Sequence, residues 1–389
     1  MDMSLSDEQL QIRDAVTELC ADFPDEYWIE LGRTEEYPYE FVKALSEAGW
    51  LSILIPEEYG GGGRPIADGA IVLEAIARSG GSGAAVHAQM YTMGTILRHG
   101  SDEQKQRYLP GIASGELRLQ AFGVTEPDAG SDTTRIRTRA VRDGDHYVIN
   151  GQKMWTSRFE QSDLMLLIAR TTPYDEVEKK YDGVSTFIVD LRQARAAGDQ
   201  ISSRRIDTMV SHHTYEVFFD DLIVPAENRI GEEGRGFRYI LSGMNAERVL
   251  TASGMIGNGM FFIDRASKYA AEREVFGRPI GQNQGVQFPI AQAYAQLEAA
   301  SLMRWKAADD FARGDTKTPA PNMAKLLASQ ALWAAANAAM DTYGGVGLAV
   351  EYGIEGKFRD ARLAQIAPIN NNLILAGLAH NHLGMPKSY

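Results

Sequence analysis

The sequence is almost without cysteine: Cys20 is the only one among 389 residues. That excludes a disulfide framework, a cysteine-built zinc site and a paired redox motif, and it points to a cytoplasmic setting. Cations are outnumbered, 39 against 52 acids, and a formal charge of -13 repels nucleic-acid phosphates and anionic membrane surfaces. Neither nucleic acid nor membrane is expected as a partner. No window approaches ~20 uninterrupted apolar residues, and Met1 to Glu8 carries acids where a signal or transit peptide needs cations. The close histidine pairs, His212-His213 and His380-x-His382, have no third ligand at a useful spacing, so no metal is expected and these side chains read as surface or packing groups. Gly231-x-x-Gly234-x-Gly236 and Gly254-x-x-Gly257-x-Gly259 run opposite to the dinucleotide fingerprint and follow no strand of a βαβ unit. Gly80-Gly81-Ser82-Gly83 ends in Ala84 where a nucleophile elbow needs glycine, so a serine hydrolase is unsupported.

What is present is an ordinary globular composition, 44% hydrophobic and 23% charged, over a length that suggests two or three domains. Three textures divide it. Residues 1–118 carry apolar side chains at helical spacing (Leu10, Ile12, Val16, Leu19), with Ser6-x-x-Gln9 and Ser101-x-x-Gln104 as capping boxes and an irregular Gly60 to Pro65 loop between two helical hairpins. Residues 119–227 turn to short β-rich runs, among them Leu164 to Ile168, Ser185 to Val189 and Tyr215 to Phe219, with Asn150-Gly151 reading as a hairpin turn. Residues 228–389 return to helices, expected at about 236–271, 283–313, 318–343 and 366–383, and the uncharged alanine-rich run Ala331 to Met340 suits tight packing inside a bundle or between subunits.

The segment Phe122-Gly123-Val124-Thr125-Glu126-Pro127-Asp128-Ala129-Gly130-Ser131-Asp132 resembles the acyl-CoA dehydrogenase family. The likeness continues, in family order and spacing, through Asn150 to Ser157, Arg273 to Ile280 and Gly344-Gly345-Val346-Gly347. It covers essentially the whole chain. It implies a mainly α fold with a central β domain: an N-terminal helical domain, a middle β-barrel-like domain and a C-terminal four-helix bundle. It also implies FAD as cofactor, an acyl-CoA substrate, electron-transferring flavoprotein as acceptor, a place in fatty acid β-oxidation and a homotetramer. Phe122, Val124 and Thr125 would lie along the flavin ring, Trp155 would cover it, and Ser157 would stand for a threonine that donates to it. Arg273, Phe276, Gln284, Gly344 and Gly345 would be supplied by the neighbouring chain to the adenine and pyrophosphate. Asn370 and Asn372 would add cofactor contacts, and Ser131, Asn245 and Arg248 substrate contacts. Taken alone, Trp155 reads as a core aromatic, and Arg273 as a surface partner of Glu272 or Glu274.

Removing an α-proton from a saturated thioester needs a positioned base while flavin N5 accepts the β-hydride. The majority of the family places a glutamate before the last helix. This sequence has Pro368 there, within Ile366-Ala367-Pro368-Ile369-Asn370. A minority, including isovaleryl-CoA and long-chain dehydrogenases, carries the base in an acid-arginine pair on an earlier helix, matched by Asn245-Ala246-Glu247-Arg248. Glu247 is therefore the expected base, although such a dipeptide alone reads as an exposed helical pair. Pro368 also lacks the N–H that polarises the thioester carbonyl in relatives. A flavin monooxygenase or oxidase on the same fold, and a non-catalytic acyl-CoA or flavin-binding subunit, are the alternatives.

Overall fold

The computed structural model describes residues 5–315 and 317–387. Six helices come first: α1 (Asp7–Ala21), α2 (Asp25–Thr34), α3 (Tyr39–Glu47), α4 (Ile66–Arg78), α5 (Ala84–His99) and α6 (Asp102–Ser114). Both expected capping boxes are formed. Ser6 Oγ accepts from Gln9 N at 3.3 Å, and Ser101 Oγ from Gln104 N at 3.2 Å, with each glutamine side chain returning to the cap N–H. Gln104 Nε2 also donates to the carbonyls of Glu227 and Arg229 (2.6 and 2.9 Å), tying α6 to the end of the sheet. The glycine loop folds back on Ile53 to Ile55. A Cβ at Gly61 would lie 2.2 Å from the Ile55 carbonyl oxygen, so only glycine fits.

The middle of the chain forms an eight-stranded sheet from β1 (Leu119–Gly123), β2 (Arg139–Asp143), β3 (His146–Ser157), β4 (Leu164–Arg170), β5 (Val184–Asp190), β6 (Ile201–Ile206), β7 (Thr214–Pro225) and β8 (Arg229–Ile230), with the short α7 (Leu191–Ala196) after β5. The strand order is β6-β7-β3-β2-β4-β5-β8, and β1 pairs with β4 in parallel. β4 and β5 are buried along their whole length, which is why they read as unbroken apolar runs. The expected hairpin at Asn150-Gly151 is not a turn. β3 runs straight through it, with a register shift between Ile149 and Gly151. Gly151 is there because a Cβ would lie 2.6 Å from Thr138 Cα, and the Asn150 amide bonds Asp221 (2.8 and 3.0 Å). The turn lies at Gly144-Asp145, where Asp143 pairs with His146 and Gly144 has φ +60.

The rest is helical: α8 (Gly236–Glu272), a small hairpin of β9 (Glu274–Val275) and β10 (Arg278–Pro279), then α9 (Gln284–Ala312), α10 (Ala320–Tyr343), α11 (Ile354–Leu363) and α12 (Asn371–Asn381). Ala331, Ala335, Ala336, Ala338 and Ala339 are all buried where α10 packs on α8 and α9. α8 crosses α4 so closely that a Cβ at Gly257 would lie 2.3 Å from the Glu74 carbonyl. The last helix begins at Asn371, not near 366. Pro368 biases its predecessor away from helical geometry, and Asn370 Oδ1 caps the new helix through Leu373 N at 2.9 Å. α11 escaped sequence reading because Gly356 and alternating charges blur its periodicity. No described helix is long and apolar enough to cross a membrane.

Candidate active site

Glu247 lies in the first third of α8, where α5 and α10 pack beside it, and it is only 5% exposed, not the solvated pair that the dipeptide alone suggests. Its Oε1 accepts from Thr251 Oγ1, one turn along, at 3.0 Å. Thr251 Oγ1 lies 2.7 Å from His87 Nε2 of α5. A hydroxyl has a single proton, so when Thr251 donates to Glu247 it accepts from His87, which assigns the Nε2–H tautomer. Glu247 Oε2 is buried without a hydrogen-bond partner among the described residues. A buried carboxylate oxygen left free beside a tethered one is placed to receive a proton.

Arg248 and Lys325 surround this carboxylate with positive charge. Arg248 donates to Asn245 Oδ1 at 3.3 Å, its Nε has no partner, and burial holds its guanidinium below the ordinary value despite Glu247. Lys325, fully buried on α10, donates to the Ile369 carbonyl (2.7 Å) and to Asn371 Oδ1 (2.9 Å), which fixes the segment just after Pro368. Desolvation pushes this ammonium down to about 8 against the opposing pull of Glu247. The folded protein thus releases the Lys325 proton near pH 8 and the unfolded chain near 10.5. The cost of burying the charge is present in full below pH 8 and fades as pH rises towards 10.5, so stability gains over that window. The difference in unfolding free energy between Lys325→Met and the parent protein, followed by denaturant titration, should therefore move in the parent's favour between pH 8 and 10. A difference independent of pH would refute this.

His87 and Tyr91 are ring neighbours (5.1 Å), and Tyr91 meets Phe122 edge to face (5.7 Å), so an aromatic path leads from Glu247 to the loop after β1. That loop is pinned from below by Lys153. Its Nζ donates to the Val124 carbonyl at 2.9 Å and pairs with Glu126 at 2.7 Å, both groups being buried. Glu126 also accepts from the N–H groups of Arg137 (2.5 Å) and Thr138 (2.9 Å). Burial raises the Glu126 carboxyl, but the Lys153 charge and these donors outweigh it and hold it below its usual range. Lys153 itself is pushed down to about 8 by desolvation. The Thr125 carbonyl accepts from Met154 N at 2.7 Å, joining the loop to β3. There the register shifts between Lys153 and Thr156, and Trp155 adopts φ +60 and turns outward, 52% exposed. It is not a core aromatic. Ser157 Oγ reaches Thr214 Oγ1 at 3.3 Å, and Thr156 Oγ1 is buried without a partner. A half-exposed indole, neighbouring hydroxyls and a pinned loop fit a planar heteroaromatic ring such as a flavin.

Ser131 and Asn370, 239 positions apart, meet through Asn370 Nδ2 and Ser131 Oγ at 3.1 Å, while Asn372 is exposed on α12. The remaining expected residues are elsewhere. Arg273 follows the far end of α8, separated from Glu247 by about 38 Å of helix at roughly 1.5 Å per residue. Phe276 is fully exposed with φ +54 at the β9–β10 turn, Gln284 is exposed at the start of α9, and Gly344 and Gly345 are exposed after α10 with open space around both. The sequence reading missed His87, Tyr91 and Lys325, which come near Glu247 only through tertiary packing, and Thr251, which helical spacing alone places one turn along. Lys153 lay inside a quoted motif, but its burial and its pairing with Glu126 appear only in the fold.

Three family models match the chain in order: acyl-CoA dehydrogenase, N-terminal domain, over residues 6–116; the middle domain over 121–222; and the C-terminal domain over 234–368. Acyl-CoA dehydrogenase FadE12 of Mycobacterium bovis is 35% identical over 387 residues, covering 99% of this chain and 98% of that protein. A glutaryl-coenzyme A dehydrogenase solved with glutaryl-CoA superposes with a TM-score of 0.93 at 33% identity, covering 100% of this chain and 98% of the other. A structure titled as the electron transferring flavoprotein of Acidaminococcus fermentans matches at TM-score 0.89 and 30% identity, over 96% and 97%. With fold, site geometry and full-length similarity in agreement, the chain belongs to the acyl-CoA dehydrogenase family of FAD-dependent oxidoreductases.

Proposed function

We propose that the protein carries out α,β-dehydrogenation of an acyl-CoA thioester to the trans-2-enoyl-CoA, with Glu247 as the base that takes the α-proton. The observation that carries this reading is the buried, unpartnered Oε2 of Glu247 beside an Oε1 held by Thr251. FAD, when bound, supplies the acceptor for the β-hydride. The chain's own residues do the rest. Thr251 and His87 fix the carboxylate rotamer, and Arg248 and Lys325 place positive charge beside it. Phe122, Val124, Thr125, Trp155 and Ser157 would hold the flavin ring, with Asn370 and Asn372 adding contacts, and Ser131, Asn245 and Arg248 would contact substrate. Because Pro368 has no N–H, the thioester carbonyl must be polarised by another group. The same reading divides the chain at 1–118, 119–227 and 228–389 and places it in the cytoplasm, in fatty acid β-oxidation, passing electrons to electron-transferring flavoprotein.

The negative CoA end has a cationic rim to meet. Lys180 and Arg135 flank the Tyr174 ring (4.1 and 6.0 Å), and Arg238 lies over Tyr181 (5.5 Å). In a chain of charge -13 such a local patch is what phosphates would seek. The deciding experiment is anaerobic bleaching of the bound flavin across a panel of acyl-CoAs. Bleaching by none of them would end the dehydrogenase reading, and hydrogen peroxide release in air would point to an oxidase.

Arg273, Phe276, Gln284, Gly344 and Gly345 are exposed and remote from Glu247 within the chain, which supports their serving the FAD of a neighbouring chain in a homotetramer. Arginine suits that place because its planar fork binds phosphate at two points. Arg273→Ala should therefore lower flavin content and loosen the oligomer together, read by flavin absorbance per chain and light scattering. An intact, fully flavin-loaded oligomer would count against it.

A further inference from the structure

A cavity of about 210 Å³ lies between α2, the start of α5, the end of β3 and α11. Liquid water takes about 30 Å³ per molecule, so the space would hold several waters or the end of a short chain. Its walls include the start of α5 at Ala84 and Ala85, one turn before His87, and Arg158, which directly follows Ser157. It therefore continues from the same two elements that form the proposed site.

Three of the lining residues carry polar atoms without partners. Arg158 Nε and Nη1, Gln161 Oε1 and His213 Nε2 are all buried without a hydrogen bond among the described residues. Arg158 is held there by backbone: it has φ +58, and its N–H donates to the His213 carbonyl at 3.0 Å. The acids in the cavity wall are engaged or turned away. Asp25 binds Arg265 (2.7 Å), Glu355 binds Arg359 (2.7 Å), Asp360 accepts from Ser211 N (2.8 Å), and Glu36 is exposed. Of the other cations in the wall, Lys357 donates to the Gly81 carbonyl at 2.8 Å, Arg359 is paired with Glu355, and Arg33 is exposed. Arg158 Nε and Nη1 thus form a buried cationic edge with no hydrogen-bond partner among the described residues, beside the neutral phenols of Tyr37 and Tyr91. Burying a charge without a counterpart is costly, and a guanidinium retains its charge, so the missing partner is an anion with a flat, two-oxygen face.

We propose that this cavity is the far compartment of the acyl site and receives a carboxylate at the distal end of the acyl chain, with Arg158 as the specificity-determining cation. The proposal rests on the acyl-CoA dehydrogenase reading given above. Gln161, whose amide can present either end, and the His213 imidazole supply the flanking hydrogen bonds.

The test uses the FAD-loaded protein and pairs of thioesters, each a short ω-carboxyacyl-CoA and its ω-methyl ester, which removes the charge and adds a single methyl group. Calorimetric titration should show the acid bound at least about tenfold more tightly than the ester, because a buried, hydrogen-bonded charge pair is lost in the ester. In Arg158→Met the acid should fall to the ester's affinity, and Arg158→Lys should keep part of the preference. The parent protein's acid-to-ester ratio decides the matter even if a variant fails to fold. Equal binding of acid and ester overturns the proposal, and so does loss of FAD from Arg158→Met, which would make Arg158 a flavin ligand. Flavin bleaching by the same compounds separates the two readings. Selective binding of the acid without bleaching removes the dehydrogenase reading and leaves the subsite standing, whereas bleaching without selectivity does the reverse.

Discussion

Glu247→Gln should bind acyl-CoA and yet reduce its flavin about 10³-fold more slowly, within the range that a positioned general base contributes. Glutamine keeps the side-chain volume and can still accept from Thr251, so the His87–Thr251 chain survives and only the proton acceptor is lost. Stopped-flow bleaching gives the rate, and the spectral change of the flavin on adding substrate gives binding. The double variant Glu247→Gln, Pro368→Glu restores a carboxylate and a backbone N–H at the position used by most of the family, and partial recovery is expected. Wild-type reduction by Glu247→Gln with a good substrate would remove Glu247 from the chemistry.

The second large effect belongs to a residue remote from the reacting bond. Lys153→Met should destabilise the FAD-loaded protein by about 3–5 kcal/mol, because it leaves Glu126 buried, 7% exposed, without its cation. The loss reaches the flavin as well, since Lys153 also holds the Val124 carbonyl. Adding Glu126→Gln should return part of the stability by removing the orphaned charge, while flavin content stays low. Denaturant unfolding and flavin absorbance report the two separately. A loss below about 1 kcal/mol would mean that the pair is solvated and the loop held by other contacts.

What could be read in advance follows from how local each signal is. The capping boxes at Ser6 and Ser101 involve residues three apart and form as expected. The change from helical to strand texture near Leu119 and back before Gly236 depends on runs of about ten residues and was equally plain. Asn150-Gly151 misled because the same dipeptide serves a turn or a bulge, and the choice was made by Thr138, pressed against Gly151 from the neighbouring strand. At the candidate site, the motif singled out Glu247 for the proposed base, but its burial, its free oxygen and its partners were not legible. His87 is 164 positions from Thr251, and no window on the chain contains both. Arg158 stood beside the quoted motif, unremarked, because only the fold reveals that nothing answers its charge.

The length of α8 has a consequence for inheritance. One rigid rod carries the proposed proton acceptor in its first third and Arg273 just past its far end, so in the proposed assembly each copy contributes to its own flavin site and to a neighbour's. A copy damaged at Glu247 and a copy damaged at Arg273 are each silent alone. Paired in a hybrid, one shared site collects both lesions and the other collects none, so two defective alleles can complement each other.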